Sequence, residues 1–190
     1  MLILASASPR RAQLLTAVGI AFETITQPID EAPFEAEPAD AYVARLAQEK
    51  ARVVAERRAG DGRPVLGADT TVVVDGEILG KPTDEADAAR MLGRLQGRAH
   101  EVLTGVALVR PAAPPQVAVA RATVTVQPMT SADVAAYLAT GEWRDKAGAY
   151  GIQGAMARYI QAISGSYTTI VGLPVALVCR WVLGYSVNDQ

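Results

Sequence analysis

The sequence predicts an α/β protein whose mixed, twisted sheet is flanked by helices. Short apolar and β-branched runs alternate along the chain with longer segments in which apolar residues recur every three or four positions. Asp75 and Gly76 follow one such run and form a strong two-residue hairpin signal, so one strand pair is expected to be antiparallel. This order of elements is typical of an α/β fold with a mixed sheet.

The chain begins with a predicted strand followed by a helix. Residues 2–4 are bulky and apolar, as in a short buried strand. Ser8 suits the N-cap of the helix, and Pro9 suits its first turn because proline lacks an N–H group that would be unpaired there. Gly19 can adopt the left-handed conformation that ends a helix. Two more elements follow in this half: a weak strand at 21–26 and an amphipathic helix at 38–58.

The second half of the chain continues the alternation. Thr83 is expected to cap a helix that Gly97 ends, and Thr130 and Asp133 have the spacing of a capping pair at the start of another. Residues 160–172 resemble a loop followed by a strand. The other expected elements are strands at 65–74, 77–79, 100–109 and 117–126 and a last helix at 174–184.

Composition restricts the classes of partner. The chain has 190 residues and a net charge of −2, so it fits one domain and has no general attraction to nucleic acid or to an anionic membrane. Small anions are therefore the expected partners. Cys179 is the single cysteine and His100 the single histidine, which excludes an internal disulfide and the usual zinc sites. Any metal would be a hard cation such as Mg²⁺, held by Asp and Glu.

The expected compartment is the cytoplasm. Residues 1–7 lack the basic segment and the long apolar core of a signal peptide. The longest apolar run, at 170–183, is too short to span a bilayer and contains Arg180.

The start of the first helix has the outline of an anion site. A strand that ends in small residues and opens a helix presents backbone N–H groups and the positive end of the helix dipole. Arg10 and Arg11 lie in the first turn, where cations are disfavoured by roughly 0.3 to 1 kcal/mol each. An ordinary capped helix with a solvated basic pair is the alternative. The unfavourable position of two cations indicates that an anion, such as phosphate, completes the site.

Two ionisable residues occupy positions that are otherwise apolar. Lys50 falls on the apolar face of the helix at 38–58, where it must reach either the rim or a counter-anion, because burial of an unpaired ammonium group is very costly. Asp69 interrupts an uncharged strand, where aspartate is depleted, so it needs a partner or a function. A capping or bulge aspartate is the structural alternative.

Several other residues are candidates with an equally simple structural explanation. Lys81 lies between a glycine and a proline at a strand's end, where it could bind phosphate or be a solvated loop lysine. Asp30 and Glu31 belong to an acidic loop over 27–38, and a solvated pair is the better interpretation from composition alone. Glycines recur in the loop at 145–154, which permits close approach of a ligand but also suits a tight structural loop. His100 is expected at the edge of a strand.

Together these residues have the chemistry that cleavage of a nucleoside triphosphate requires. Such a site must neutralise a polyphosphate, hold a divalent ion with carboxylates and align a water molecule on phosphorus. The sequence has neither the Walker motif nor the dinucleotide fingerprint, so P-loop and Rossmann interpretations are disfavoured. The candidate cations are Arg10, Arg11, Lys50 and Lys81, and the candidate carboxylates are Asp69 with either Asp30 or Glu31.

An ordered set of motifs resembles the Maf-like nucleoside triphosphate pyrophosphatases. The resemblance covers nearly the whole chain and implies one Maf/ITPase-like domain over 1–190, with two lobes around a central cleft. The motifs are SASPRR (6–11), the pair 30–31, QEKA (48–51), GADT (67–70), GKP (80–82), HEVLTG (100–105), DKAGAYGIQG (145–154) and SGSYTTIVGLP (164–174).

The resemblance implies roles for individual residues. Asp69 would accept the proton of water, Glu31 would help to hold the metal or the water, and the divalent ion would be Mg²⁺ or Mn²⁺. Asp69, Glu31 and Lys81 would form the catalytic set. The substrate contacts implied by the resemblance come from Ser8, Arg10, Arg11, Lys50, Thr70 and Gln153.

Gln153 is similar to the residue found in the branch that acts on dTTP, UTP and modified pyrimidine nucleotides. A glutamine amide offers a donor and an acceptor, as does the edge of uracil or thymine. The resemblance also implies a homodimer. The alternatives are a pyrophosphatase of the 7-methyl-GTP type and a non-catalytic, nucleotide-sensing regulator of septum formation. Aromatic residues make up only 5% of the chain, which disfavours a nucleic-acid binder.

Overall fold

A mixed sheet of seven strands organises the protein, as a computed structural model describes it for residues 1–184. The strands are β1 Leu2–Ala5, β2 Phe22–Thr24, β3 Val65–Val74, β4 Glu77–Leu79, β5 Ala99–Val109, β6 Gln116–Val126 and β7 Ile160–Gly165. The helices are α1 Pro9–Ala17, α2 Ala39–Arg57, α3 Glu85–Leu95, α4 Ser131–Ala139, α5 Tyr167–Val171 and α6 Val175–Leu183, with 3₁₀ turns at Ala147–Ala149 and Ala155–Tyr159. The predicted α/β class is confirmed.

The sheet contains parallel and antiparallel pairs, as predicted. The strand order is β2-β1-β3-β5-β6-β7, and β4 pairs with β3 outside this path. β1 is parallel to both β2 and β3, whereas β4 and β7 are antiparallel to β3 and β6. Asp75 and Gly76 both have positive φ angles, of 52° and 76°, as the predicted two-residue hairpin turn requires.

The chain divides into two compact units. Among residues 1–184, the first contains 1–69, 104–120 and 172–184, and the second contains Thr70–Leu103 and Arg121–Val171. Each of the three long strands, β3, β5 and β6, therefore has one part in the first unit and one part in the second.

In the first unit, strand alternation creates two apolar layers. Leu2, Leu4 and Leu66 belong to one buried cluster with residues of α1 and α6. Ile3 and Val65 belong to another, which includes residues of α2. Because successive side chains point to opposite faces of a strand, α2 covers one face of this part of the sheet and α1 and α6 cover the other.

Helix α2 lies directly on the sheet at two glycines. A Cβ atom added to Gly67 would be 2.1 Å from the carbonyl oxygen of Ala47, and one added to Gly105 would be 2.2 Å from that of Val43. Neither glycine has a positive φ angle, so close packing rather than backbone conformation explains the absence of a side chain at each.

In the second unit, α3 packs against α4 and against the 3₁₀ turn at Ala147–Ala149. Met91, Leu92 and Leu95 on α3 and Tyr137 on α4 are buried there. Thr130 and Asp133 form a complete capping box at the start of α4, which confirms the predicted pair.

Two predictions about local structure are wrong. The cap of α3 is Asp84 rather than Thr83, because the Asp84 carboxylate accepts the N–H of Asp87 at 2.8 Å. Residues 160–172 begin with a strand and continue into a short helix, whereas a loop followed by a strand was expected. Pairing with β6 favours the strand at its beginning, and Gly165, at φ 97°, separates it from α5. Within residues 1–184, no helix has the length and apolar character that a bilayer span requires.

Candidate functional site

β1 and β2 end at the same edge of the sheet, where the last residue of β1 pairs with Gly67 inside β3. The chain leaves β1 for β2 on one side through α1, and later reaches β3 on the other side through α2. Because α1 and α2 lie on opposite faces of the sheet, the connections diverge at β1. Ligands of open α/β sheets bind at such a switch point, outside the carboxyl ends of the strands.

Asp69 and Lys50 meet on the α2 face of the sheet. Alternation along β3 places Asp69 on the same face as Val65 and Gly67, the face that α2 covers. The Lys50 ammonium donates to Asp69 Oδ1 at 2.6 Å. Their side chains are only 15% and 12% exposed, which strengthens the attraction relative to a surface pair. The expectation that Lys50 reaches a counter-anion is confirmed.

Glu31 provides a second carboxylate for the same ammonium group. Its Oε1 lies 2.6 Å from Lys50 Nζ, so Lys50 bridges Glu31 and Asp69. Asp30 has a different role, since its Oδ1 accepts the N–H of Ala32 at 2.9 Å and forms a local turn. Of the two carboxylates left open by the sequence, Glu31 is therefore the one that meets Lys50.

Arg11 is buried beside this pair of carboxylates. Only 8% of the residue is exposed to solvent. Its guanidinium donates to the Gly172 carbonyl at 2.8 Å and to Ser6 Oγ at 2.9 Å. Burial lowers the pKa of Arg11 and the neighbouring Asp69 carboxylate opposes this, with smaller effects from Arg10 and Glu31. Arg10, Asp69 and Glu31 therefore each act electrostatically on the Arg11 guanidinium.

Ser8 occupies the predicted N-cap position without making the expected bond. Its side chain accepts no N–H group of α1, while its own backbone N–H donates to Ser6 Oγ at 3.3 Å. Ser6 thus contacts both the start of the helix and Arg11. The predicted N-cap position of Ser8 is confirmed, but the side-chain oxygen that accepts a backbone N–H at this turn is that of Ser6 rather than that of Ser8.

Two residues of α2 at the site were not among the candidates. The Tyr42 hydroxyl donates to the backbone carbonyl of Glu31 at 3.0 Å, and Arg45 makes several contacts with the acidic loop. Burial, followed by the carboxylates of Asp69 and Glu31, raises the pKa of Tyr42 to about 12. Tyr42 and Arg45 lie eight and five residues before Lys50, so helix periodicity places Tyr42 near the side of Lys50 but gave no signal for Arg45.

The remaining candidates belong to the second unit. Thr70 is half-buried in β3, whereas Lys81 and Gln153 are exposed. The N–H of Gly148 donates to the carbonyl of Gly80 at 3.0 Å, which connects the glycine-rich loop to the segment that precedes Lys81. Gly148 has φ +68°, and a Cβ there would lie 2.9 Å from a Val72 methyl group, so a glycine is required.

His100 is buried rather than at an exposed edge. It is 3% exposed in β5, a strand that is paired on both sides, and its Nε2 lies 2.7 Å from the Tyr150 hydroxyl. Its Nδ1 has no hydrogen-bond partner within the part of the chain that the structure describes. The pair connects β5 to the glycine-rich loop. Burial lowers the pKa of His100 to about 4.

We expect this histidine to destabilise the fold in acid. The pKa of His100 falls from 6.5 to about 4 on folding, so the unfolded chain binds the proton first as the pH decreases. The free energy of unfolding is therefore highest above pH 6.5. It decreases by about 3 kcal/mol in total as the pH falls from 6.5 to about 4. Urea unfolding of the wild type and of His100→Gln across this range measures the effect. Gln can bind Tyr150 without titrating, so its profile should be flatter. If the free energies of unfolding of the two proteins changed equally with pH, His100 would not be the group that destabilises the fold in acid.

The fold and the site define a class of protein. It is an α/β protein in which a lysine bridges two carboxylates, and two arginines at the start of α1 interact electrostatically with this group. This arrangement suits an anion that carries phosphate groups. The profile described as Maf-like protein matches residues 1–184, and the chain belongs to this family.

Relatives of known name cover almost the whole chain. A dTTP/UTP pyrophosphatase from Symbiobacterium thermophilum is 53% identical over 174 residues, or 92% of this chain and 88% of the relative. One from Citrifermentans bemidjiense is 48% identical over 178 residues, or 93% and 91%. Among solved structures, a HAM1 protein from Coxiella burnetii is similar at 16% identity with a TM-score of 0.46, over 66% of this chain and 72% of that one.

Proposed function

We propose that this protein is a nucleoside triphosphate pyrophosphatase that hydrolyses dTTP and UTP to the monophosphate and pyrophosphate. House-cleaning of modified pyrimidine nucleotides fits the same activity. The single observation that carries the proposal is the bridge from Lys50 to Glu31 and Asp69 beside Arg11. Relatives named dTTP/UTP pyrophosphatase at 48% to 53% identity support the choice of substrate.

The reaction places distinct demands on the acidic and basic groups. The oxygen of water forms a bond to phosphorus, and the phosphorus–oxygen bond of the anhydride breaks to release pyrophosphate. Asp69 accepts the proton that water loses. Arg10, Arg11 and Lys50 offset the charge of the phosphates, and Ser8 assists them at the start of α1. Because Arg11 is held by Ser6 and Gly172, its orientation is determined before the nucleotide binds.

A divalent cation fits the two carboxylates. Mg²⁺ binds through one or two carboxylates together with phosphate oxygens, and each carboxylate has two oxygens with which to bind an ammonium group and a metal ion. Within residues 1–184, no group of three or more His, Cys, Asp and Glu side chains is arranged to hold a metal by itself. Asp69 and Glu31 would therefore hold Mg²⁺ or Mn²⁺ with the substrate. The ion would neutralise charge on the phosphates.

Three residues of the second unit have roles that rest on the sequence motifs. We assign Lys81 to the phosphates, and Thr70 and Gln153 to substrate preference. The exposure of Lys81 and Gln153 is compatible with contact to a ligand. A cytoplasmic homodimer is part of the same proposal, and sedimentation of the purified protein tests the dimer.

Pyrophosphate release from a panel of nucleotides tests the function. The purified protein is incubated with Mg²⁺ and either UTP, dTTP, CTP, GTP or 7-methyl-GTP. Fastest release from UTP and dTTP supports the proposal. Preference for 7-methyl-GTP would indicate the other pyrophosphatase branch, and binding without turnover would indicate the regulatory alternative.

Replacement of the Gln153 side-chain amide by a carboxylate should change the base preference. In Gln153→Glu, a donor is lost and a negative charge is added, so we expect kcat/KM for dTTP to fall about tenfold relative to that for GTP. The ratio of the two kcat/KM values measures this effect independently of the amount of active enzyme. Gln161→Glu, an exposed residue of β7, is the control and should keep the wild-type ratio. An unchanged ratio in Gln153→Glu would contradict base recognition by Gln153.

A further inference from the structure

The acidic loop at 27–38 has little regular structure of its own, yet it carries Glu31. Within it, the N–H of Phe34 donates to Glu37 Oε2 at 3.1 Å, and the N–H of Glu37 donates to the Phe34 carbonyl at 3.1 Å. These two bonds form a compact turn but do not attach it to the rest of the first unit. Its attachment comes from α2.

Arg45 makes three hydrogen bonds from α2 to this loop. Its Nε and Nη2 atoms each lie 2.7 Å from an oxygen of Glu37, which is the bidentate geometry that a guanidinium and a carboxylate favour. Nη2 also donates to the Ala32 carbonyl at 3.0 Å. The guanidinium carbon lies 4.0 Å from the centre of the Phe34 ring, a side chain that is 63% exposed. One side chain thus holds both ends of the turn.

The Arg45–Glu37 pair is sheltered from solvent. The two side chains are 16% and 7% exposed, and the hydrogen bond from Arg45 lowers the pKa of Glu37. Glu49, one turn further along α2, lies 3.6 Å from Arg45 and adds a second carboxylate. The pair is therefore more than a mobile surface contact.

Contacts from one helix continue from this pair to the carboxylates of the site. The Tyr42 hydroxyl holds the backbone of Glu31, and Lys50 holds its carboxylate. Lys50 also holds Asp69. Since Tyr42, Arg45 and Lys50 all belong to α2, a single rigid element determines where Glu31 lies relative to Asp69.

We propose that Arg45 is a positioning residue: by holding residues 32–37 on α2, it places the Glu31 carboxylate beside Lys50 and Asp69. This inference rests on the proposed function for its kinetic consequence. Groups that orient metal-binding carboxylates typically contribute 10-fold to 100-fold to metal affinity or activity. Arg45 contacts neither Asp69 nor Lys50 in any bond described above, so it acts through the loop.

The test compares Arg45→Met with Arg52→Met. Arg52 lies on the same helix and pairs with Glu56, and both of those side chains are about 60% exposed. Hydrogen exchange of the Phe34 and Glu37 amides reports the attachment of the loop without any substrate. Steady-state kinetics with dTTP at several Mg²⁺ concentrations report its consequence.

In Arg45→Met, we expect exchange of these amides to accelerate at least about tenfold and kcat to fall about 10-fold to 100-fold. The Mg²⁺ concentration for half-maximal rate should rise, whereas KM for dTTP should change less than about threefold. Arg52→Met should match the wild type in every measurement. Glu37→Gln removes the negative charge of the loop-side partner but keeps one acceptor oxygen, so it should have a smaller effect of the same sign. Combined with Arg45→Met, it should add little, because both changes break one interaction.

Two results would overturn the inference. Unchanged amide exchange in Arg45→Met and in Glu37→Gln would show that Arg45 does not hold the loop. Faster exchange with unchanged kcat and Mg²⁺ dependence, in an active wild type, would show that the loop's position is irrelevant to the reaction. A wild type that hydrolyses no nucleotide would instead refute the proposed function, and amide exchange would still decide whether Arg45 holds the loop.

Discussion

Asp69→Asn is expected to lower the rate of pyrophosphate release by at least about 10³-fold. The amide keeps the shape of the side chain but cannot accept the proton of water, and general-base catalysis contributes about 10²-fold to 10⁴-fold. It also removes a negative charge from Lys50, which then retains Glu31 as its carboxylate partner. Initial rates with dTTP and UTP at saturating Mg²⁺ measure the loss.

Asp75→Asn is the matched control for this substitution. Asp75 follows β3 in the hairpin turn, has a φ angle of 52° and pairs with the exposed Arg98. Asparagine tolerates that left-handed conformation, so the control should fold and should react at the wild-type rate. Circular dichroism of both variants checks the fold. Full turnover in Asp69→Asn would exclude Asp69 as the proton acceptor.

Gly67→Ala is expected to lower the free energy of unfolding by about 3 kcal/mol, the upper part of the range for overpacked cores. The new methyl group would lie 2.1 Å from the Ala47 carbonyl oxygen and 2.8 Å from the Ala51 nitrogen, both in the backbone of α2. Neither atom can move unless α2 moves. Because α2 carries Lys50, we also expect kcat to fall about 100-fold, as for misplaced catalytic groups elsewhere.

Gly93→Ala separates this packing effect from the general effect of replacing a glycine. Gly93 lies within α3, and an added Cβ would meet no atom within 4 Å. Alanine is favoured over glycine inside a helix by roughly 0.5 to 1 kcal/mol, so this control should be slightly more stable than the wild type. Urea unfolding of the three proteins provides the comparison. If Gly67→Ala is as stable as Gly93→Ala, the close approach of α2 to β3 is not as described.

The order of elements was largely predictable because it depends on local features. Apolar periodicity indicated α2, and the Asp75-Gly76 turn indicated the β3–β4 hairpin, since each pattern extends over a few neighbouring residues. The two errors lie where local signals compete. Thr83 and Asp84 are both good caps, and the strand Ile160–Gly165 depends on its pairing with β6.

Only some residues of the candidate site could be predicted from the sequence. Lys50 and Asp69 were recognisable because each is a charge in an apolar pattern, which has few structural explanations. The choice between Asp30 and Glu31 needed the structure, because the two neighbours have the same chemistry in the sequence and differ only in what they reach. The role of Arg45 depends on contacts with residues 8 to 13 positions earlier, across a loop with no periodic pattern.

The sequence by itself determined the α/β class, the charged residues that a phosphate ligand needs and the family resemblance, because periodicity and motifs are properties of neighbouring residues. Only the tertiary structure decided that Lys50 bridges Glu31 and Asp69, that Ser6 and Gly172 hold Arg11, and that α2 anchors the acidic loop. Several of these contacts join different elements of the chain, and the contact between Arg11 and Gly172 spans almost its whole length. The position of Lys50 against Asp69 also depends on the close approach of α2 to β3 at Gly67, which no local pattern specifies.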